Sequence, residues 1–186
     1  MHSKTEARLD LKAQAKAFRS ADFSDEDASS IKALLASPLY KNASTVFAFI
    51  PLKSEVDITP LLDQASKTKT LALPRCNEDM NLTFHLVTEN WREETKKNMF
   101  AIEEPLDGKL VTPDDTSLLL IPAMAYTASG ERLGRGKGYY DRYLQAYKTG
   151  TTLGICRSYQ LVETLPTETW DQKVEHVVCA GIFYCC

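Results

Sequence analysis

Thr45-Val46-Phe47-Ala48-Phe49-Ile50 is a β-rich run closed by Pro51. Apolar and β-branched residues with no polar break read as a buried strand. Residues 58–67 follow with a helical pattern, and residues 70–73 (TLAL) form a second short strand that stops at Pro74. Strand, helix and strand in this order make a βαβ unit, which requires a parallel pair joined by a right-handed crossover. Outward from this unit, residues 4–19 are rich in helix formers, with Leu9, Leu11, Ala15 and Phe18 expected near one face. Ser24 with Asp27 resembles a capping box, Asp replacing the usual Glu, and opens a second helix to about residue 35. Further strands are expected at residues 82–87 and 118–121, with 151–156 and 177–183 as the last two, and a helix at 139–147. Residues 91–110, which include Pro105 and Gly108, read as loop. The alternation predicts an α/β fold: a three-layer α/β/α single domain over residues 1–186 with a mostly parallel central sheet.

The chain has 186 residues, 44% hydrophobic and 25% charged, enough to bury a core without disulfides. A net charge of -3, from 22 basic and 25 acidic residues, gives no ground for a nucleic-acid partner, which would show a basic surplus. Any anionic ligand must therefore be met by a local cluster of Arg and Lys. The five cysteines, Cys76, Cys156, Cys179, Cys185 and Cys186, include no C-x-x-C pair, and their odd number suits a reducing compartment. His2, His85 and His176 are scattered without metal-ligand spacing, so no zinc site is expected and His85 reads as structural. The start of the chain lacks the apolar core of a secretory signal, and residues 118–125 are too few to span a bilayer. A cytoplasmic monomer acting on small molecules, away from membranes, is the expectation.

Chemistry concentrates in residues 130–144, GERLGRGKGYYDRYL. This segment holds four of the eight glycines, Gly130, Gly134, Gly136 and Gly138, together with Arg132, Arg135, Lys137 and Arg142. Glycines let backbone N–H groups turn toward an oxyanion and let it approach closely. Arg offers a fork and Lys a point charge to phosphate oxygens. The segment runs into a helix whose N-terminus favours an anion, and it should lie where open α/β sheets bind ligands, at the carboxyl ends of the strands. It is not a Walker loop: Gly136-Lys137 is followed by Gly138, and Glu131 stands where the first glycine would be. Read from residues alone it is a phosphate-binding loop of a less common type, the alternative being a flexible basic surface loop.

Ile121-Pro122-Ala123-Met124-Ala125-Tyr126, followed by Gly130-x-Arg132-Leu133-Gly134-x-Gly136-x-Gly138-Tyr139-Tyr140-Asp141-Arg142-Tyr143-Leu144, resembles the signature of the 5-formyltetrahydrofolate cyclo-ligase family. The resemblance extends over most of the chain. Lys4-x-x-x-Arg8 is similar to the family's first-helix cations, whose i, i+4 spacing puts both on one face. Pro51-x-x-x-Glu55-Val56-Asp57 resembles the segment whose glutamate meets the folate, and Leu165-Pro166 with Trp170-Asp171 resembles the segment bearing a second metal-linked aspartate. Departures are Ala7 for Leu, Ala101 for Gly, Thr127 for Asp, and Glu175 and Cys179 for Asp and Thr.

This resemblance implies an ATP- and Mg²⁺-dependent enzyme that turns 5-formyltetrahydrofolate into 5,10-methenyltetrahydrofolate, ADP and phosphate, through a phosphorylated formyl intermediate attacked by N10. It implies catalytic roles for Arg132, Lys137 and Tyr140. Contact with ATP would come from Lys4, Arg8, Arg132, Leu133, Gly134, Arg135, Gly136, Lys137, Gly138, Tyr139 and Tyr140. Folate would meet Ile50 and Glu55, and Mg²⁺ would meet Asp141 and Asp171. Met80, Phe84 and Trp91 are candidates for the folate pocket, or plain core. Arg75 is a candidate partner for the folate's carboxylate tail. Two other readings stay open: another ATP-using enzyme of the same fold, and a nucleotide- or RNA-binding relative without catalysis.

Overall fold

The computed structural model describes residues 3–77, 79–98 and 102–186, so His2 and Ala101 lie outside the described residues. The chain opens with α1 (Lys4–Ala17), α2 (Ser24–Ala36), α3 (Pro38–Asn42), β1 (Thr45–Phe47), α4 (Thr59–Thr68), β2 (Thr70–Cys76) and β3 (Leu82–Val87). Short strands β4 (Thr95–Lys97), β5 (Glu103–Pro105) and β6 (Leu110–Val111) precede β7 (Ser117–Leu120). Then come β8 (Ala125–Tyr126), β9 (Arg132–Leu133), α5 (Tyr139–Ala146), β10 (Thr151–Cys156), β11 (His176–Cys179) and β12 (Ile182–Cys185). Eight strands form one sheet in the order β12-β11-β10-β7-β1-β2-β3-β6. Its central neighbours, from β11 to β2, pair in parallel, while β12, β3 and β6 add antiparallel pairings at the flanks.

Strand alternation sends successive side chains to opposite faces, and the core obeys it. Val46, Leu71, Leu73, Leu118, Leu120, Leu153 and Ile155 pack with Ile31, Leu34, Leu61, Leu62 and Ala65 of α2 and α4. On the other face Phe47, Ala72, Leu119 and Cys156 pack with Tyr143 and Leu144 of α5. Three layers result, because strands buried on both sides need helices on both sides. Gly154 of β10 sits under the fully buried ring of Tyr126, where a Cβ would overlap ring carbons. Gly154→Ala should therefore lower stability by about 1–3 kcal/mol, as overpacking does. A denaturant midpoint equal to wild type would refute that packing.

Several expectations are corrected. Leu9 is 59% exposed while Leu11 is buried, because residues two apart on a helix point about 200° apart. Ser24 does not cap α2: it is the first helical residue, Asp22 accepts its N–H, and Asp27 is committed elsewhere. The capping box belongs to α1, where Ser3 and Glu6 bond reciprocally. β1 ends at Phe47, although the Ala48 N–H still donates to the Ala72 carbonyl. β2 runs through Pro74 to Cys76; its ladder with β1 stops at Ala72, and a strand bonded on one side tolerates proline. Residues 177–183 are not one strand, because Ala180 (φ 49°) and Gly181 (φ 82°) make a left-handed turn between β11 and β12. Among the described residues of 91–110, β4 and β5 form a pair that includes Pro105 itself, and β6 begins at Leu110.

Candidate active site

The glycine-rich segment begins in the β8–β9 hairpin, just past the carboxyl end of β7, and ends in α5. Gly130, Gly136 and Gly138 have φ of 83°, 101° and 69°, conformations that side-chain-bearing residues rarely adopt. Gly130 also lies against the Val174 carbonyl, and Gly138 caps α5 with no side-chain hydrogen bond. Thr127, a departure from the family pattern, closes the hairpin tip: its hydroxyl bonds the Glu131 carboxylate and accepts the Glu131 N–H. Lys173, with Ser129 and Thr127, holds the Glu131 carboxyl down at about 2. Arg142 braces the loop from α5, donating to the carbonyls of Met80 at 2.5 Å and Lys137 at 3.1 Å, with its guanidinium over the Tyr139 ring.

α1 lies across this loop. Leu11 and Ala7 pack with Met124, Ala125 and Leu133, so the Leu133 side chain serves to dock the helix. The docking brings Arg8 Nε to 2.9 Å from the Gly134 carbonyl and its guanidinium above Gly136. One turn earlier Lys4 Nζ lies 2.6 Å from both Glu168 and Asp171. Burial works to lower the Lys4 ammonium, but bonds to Asp171 and Glu168 outweigh it and raise its pKa. Residues some 126 and 167 positions apart are thus joined.

Other predicted groups gather at the same place. Arg132 is buried in β9, with Nη2 2.6 Å from Asp141 Oδ1, and its Nε is buried without a hydrogen-bond partner among the described residues. Asp141 Oδ1 also accepts the Gln172 N–H at 3.2 Å, linking α5 to the segment that bears Asp171. Glu55 is buried beyond the end of β1, accepting from the Leu52 N–H and from Arg135 at 2.8 Å. Tyr140 lies within electrostatic reach of Cys76, Glu55 and Arg132, and burial pushes its hydroxyl well above the usual range. Tyr139 is partly buried against the α5-side core. Ile50 packs at the edge of the other core, five residues before Glu55. Lys137 is exposed, and its side chain has no hydrogen bond or ion pair among the described residues.

Trp91 and Phe84 are core residues; the Trp91 indole N–H bonds Asp63, and Phe84 shares its cluster with Tyr139 and Tyr140. Arg75 is exposed and donates to the Leu106 carbonyl. His85 is buried and structural, bonded to Thr83 and to the Gly108 carbonyl. Sequence reasoning misses Glu168 and the pair of Arg157 with Asp27, because Glu168 and Arg157 lie in no motif and Asp27 fits a capping pattern instead. A cleft of about 1400 Å³ is lined by Phe18, Phe23, Lys53, Arg157 and Tyr159 but by none of residues 130–144. Converging cations, rather than cavity size, mark the site.

A glycine-hinged basic loop at the carboxyl edge of a parallel sheet, with a helix cation folded onto it, gives an α/β protein a cradle of the kind that suits an oxyanion. The profile of the 5-formyltetrahydrofolate cyclo-ligase family matches residues 1–180, and the chain belongs to that family of enzymes. The Escherichia coli K12 5-formyltetrahydrofolate cyclo-ligase is 34% identical over 141 residues, covering 73% of this chain and 78% of that protein. A Schizosaccharomyces pombe protein described as a probable 5-formyltetrahydrofolate cyclo-ligase is 29% identical over 164 residues, covering 79% and 80%. The solution structure of Aquifex aeolicus 5,10-methenyltetrahydrofolate synthetase superposes with a TM-score of 0.80 at 30% identity, over 95% of this chain and 91% of that one. The Mycoplasma pneumoniae 5,10-methenyltetrahydrofolate synthetase, at 22% identity and a TM-score of 0.69, shares the fold.

Proposed function

We propose that this enzyme converts 5-formyltetrahydrofolate to 5,10-methenyltetrahydrofolate with ATP and Mg²⁺, releasing ADP and phosphate. One observation carries the reading: α1 is docked so that Arg8 meets the glycine loop that bears Arg132, Arg135 and Lys137, while Lys4, one turn earlier, is held by Glu168 and Asp171. Such a cationic nest suits a triphosphate. Phosphoryl transfer is mostly positioning and charge stabilisation. The Gly134–Gly138 backbone, Lys4 and Arg8 hold the chain of phosphates, while Arg132, Arg135 and Lys137 neutralise charge at the transferring group. The bond from the γ-phosphorus to the bridging oxygen breaks as the formyl oxygen bonds to phosphorus. N10 then attacks the activated formyl carbon, its proton is lost, the C–O bond breaks and phosphate departs.

Tyr140, kept protonated by burial, is a neutral donor near Glu55 and suits the formyl oxygen. Glu55 suits the N–H groups of the pterin ring, with Ile50 on the same segment. Asp141 fits a hard cation: its Oδ2 accepts no hydrogen bond among the described residues, and its side chain is 25% exposed. Asp171 has both oxygens engaged, by Lys4 and by the Glu168 N–H, and keeps lone pairs for an ion. Bound there, Mg²⁺ would neutralise phosphate charge, usually with one or two carboxylates and phosphate oxygens as ligands.

The decisive experiment follows near-ultraviolet absorbance of the methenyl product from purified protein. Absorbance should grow only when 5-formyltetrahydrofolate, ATP and Mg²⁺ are all present; growth without ATP rejects the reading. In the same assay Asp141→Asn should raise the Mg²⁺ concentration needed for half-maximal rate, and an unchanged metal titration removes Asp141 from the metal site.

A further inference from the structure

Trp170 is 60% exposed, whereas the other tryptophan, Trp91, is 2% exposed. Its apolar face is open to a flat partner, whose burial of that face would contribute about 25 cal/mol per Å². Its presentation is fixed. The Asp171 N–H donates to the Glu168 carbonyl at 3.1 Å, the Glu168 N–H to Asp171 Oδ2 at 2.7 Å, and the Gln172 side chain to the Trp170 carbonyl at 3.1 Å. Gln172 in turn ties this turn to Asp141 of α5. The ring thus stands on a pinned turn at the rim of the site, with Lys4 Nζ 6.0 Å from its centroid.

We propose that Trp170 is the platform on which the base of the nucleotide stacks. The inference rests on the triphosphate reading of the loop and deepens it. Lys4 is a phosphate-binding cation in that reading, and a base is tethered to its phosphates through one ribose, so a flat ring beside Lys4 lies within its reach. The folate side is marked by Glu55, whose hydrogen-bond partners are Leu52 and Arg135, with none from residues 165–172. Stacking on an indole face suits any base, since every base has a π-face.

The test is calorimetric binding of Mg-ATP and of Mg-tripolyphosphate to wild type, Trp170→Ala and Trp170→Phe, without folate so that no turnover occurs. Wild type should bind ATP more tightly than tripolyphosphate, with a change in indole emission on adding ATP. Trp170→Ala should weaken ATP about tenfold and leave tripolyphosphate unchanged, while Trp170→Phe recovers most of the loss. Equal ATP affinity in wild type and Trp170→Ala overturns the platform and leaves the loop assignment standing. Parallel weakening of both ligands overturns it too, since Trp170 would then act only through Lys4. Failure of wild type to bind either ligand overturns the loop reading and the platform with it.

Discussion

Lys137→Ala should lower kcat by about 10²-fold or more, the scale of removing one preorganised donor from a developing negative charge. The protein should meanwhile melt at the wild-type temperature. Both halves follow from the surroundings of the side chain. Lys4, Arg8, Arg132 and Arg135 each engage a carboxylate or a carbonyl in the protein itself. Lys137 is exposed and engages no hydrogen-bond or ion-pair partner among the described residues, so its removal breaks nothing that folding needs. Its carbonyl does hold Arg142, but a backbone contact survives truncation to alanine. Initial rates at saturating substrates, with circular-dichroism melts of both proteins, check the prediction. Wild-type turnover would remove Lys137 from the chemistry and leave Arg132 and Arg135 as the charge acceptors.

Arg157→Ala should destabilise the fold by about 3–5 kcal/mol, the usual result of stripping one partner from a buried ion pair. Arg157 donates to both carboxylate oxygens of Asp27, at 2.9 and 2.8 Å, and to the Lys53 carbonyl at 3.3 Å. Asp27 is 6% exposed; without Arg157 the Asp57 N–H alone would remain on it among the described residues. The pair pins α2 to the end of β10, beside the segment that leads to Glu55. A residual charge in that position is what makes the loss large, so Asp27→Asn in the same background should recover part of it. Denaturant midpoints for the single and double variants measure both numbers. A loss under about 1 kcal/mol would mean that the pair behaves like a surface contact.

The loop at residues 130–144 was legible because its chemistry is local. Glycine spacing, cation placement and the following helix are all encoded within 15 residues, and three of its glycines do adopt the left-handed backbone. The βαβ unit was legible for a similar reason: uninterrupted apolar runs name buried strands. Boundaries were less so. Pro74 looks like a stop in sequence but lies where β2 has lost its neighbour on one side, and only the register with β1 reveals that. Residues 177–183 read as one strand because Ala180 gives no turn signal, although its φ is 49°. Ser24 and Asp27 satisfy a capping pattern, yet Asp27 is turned inward by Arg157, 130 residues away.

By itself the sequence determined the layered α/β class, the glycine-rich basic segment and its family resemblance, since each depends on spacing over a few residues or on a long contiguous motif. Tertiary structure alone decided which charges meet. Arg135 with Glu55, Lys4 with Glu168 and Asp171, and Arg157 with Asp27 are pairs between residues 80 to 167 positions apart. Electrostatic and hydrogen-bond energies depend on ångström distances and local burial, and no one-dimensional pattern carries those quantities before the sheet and α1 have docked.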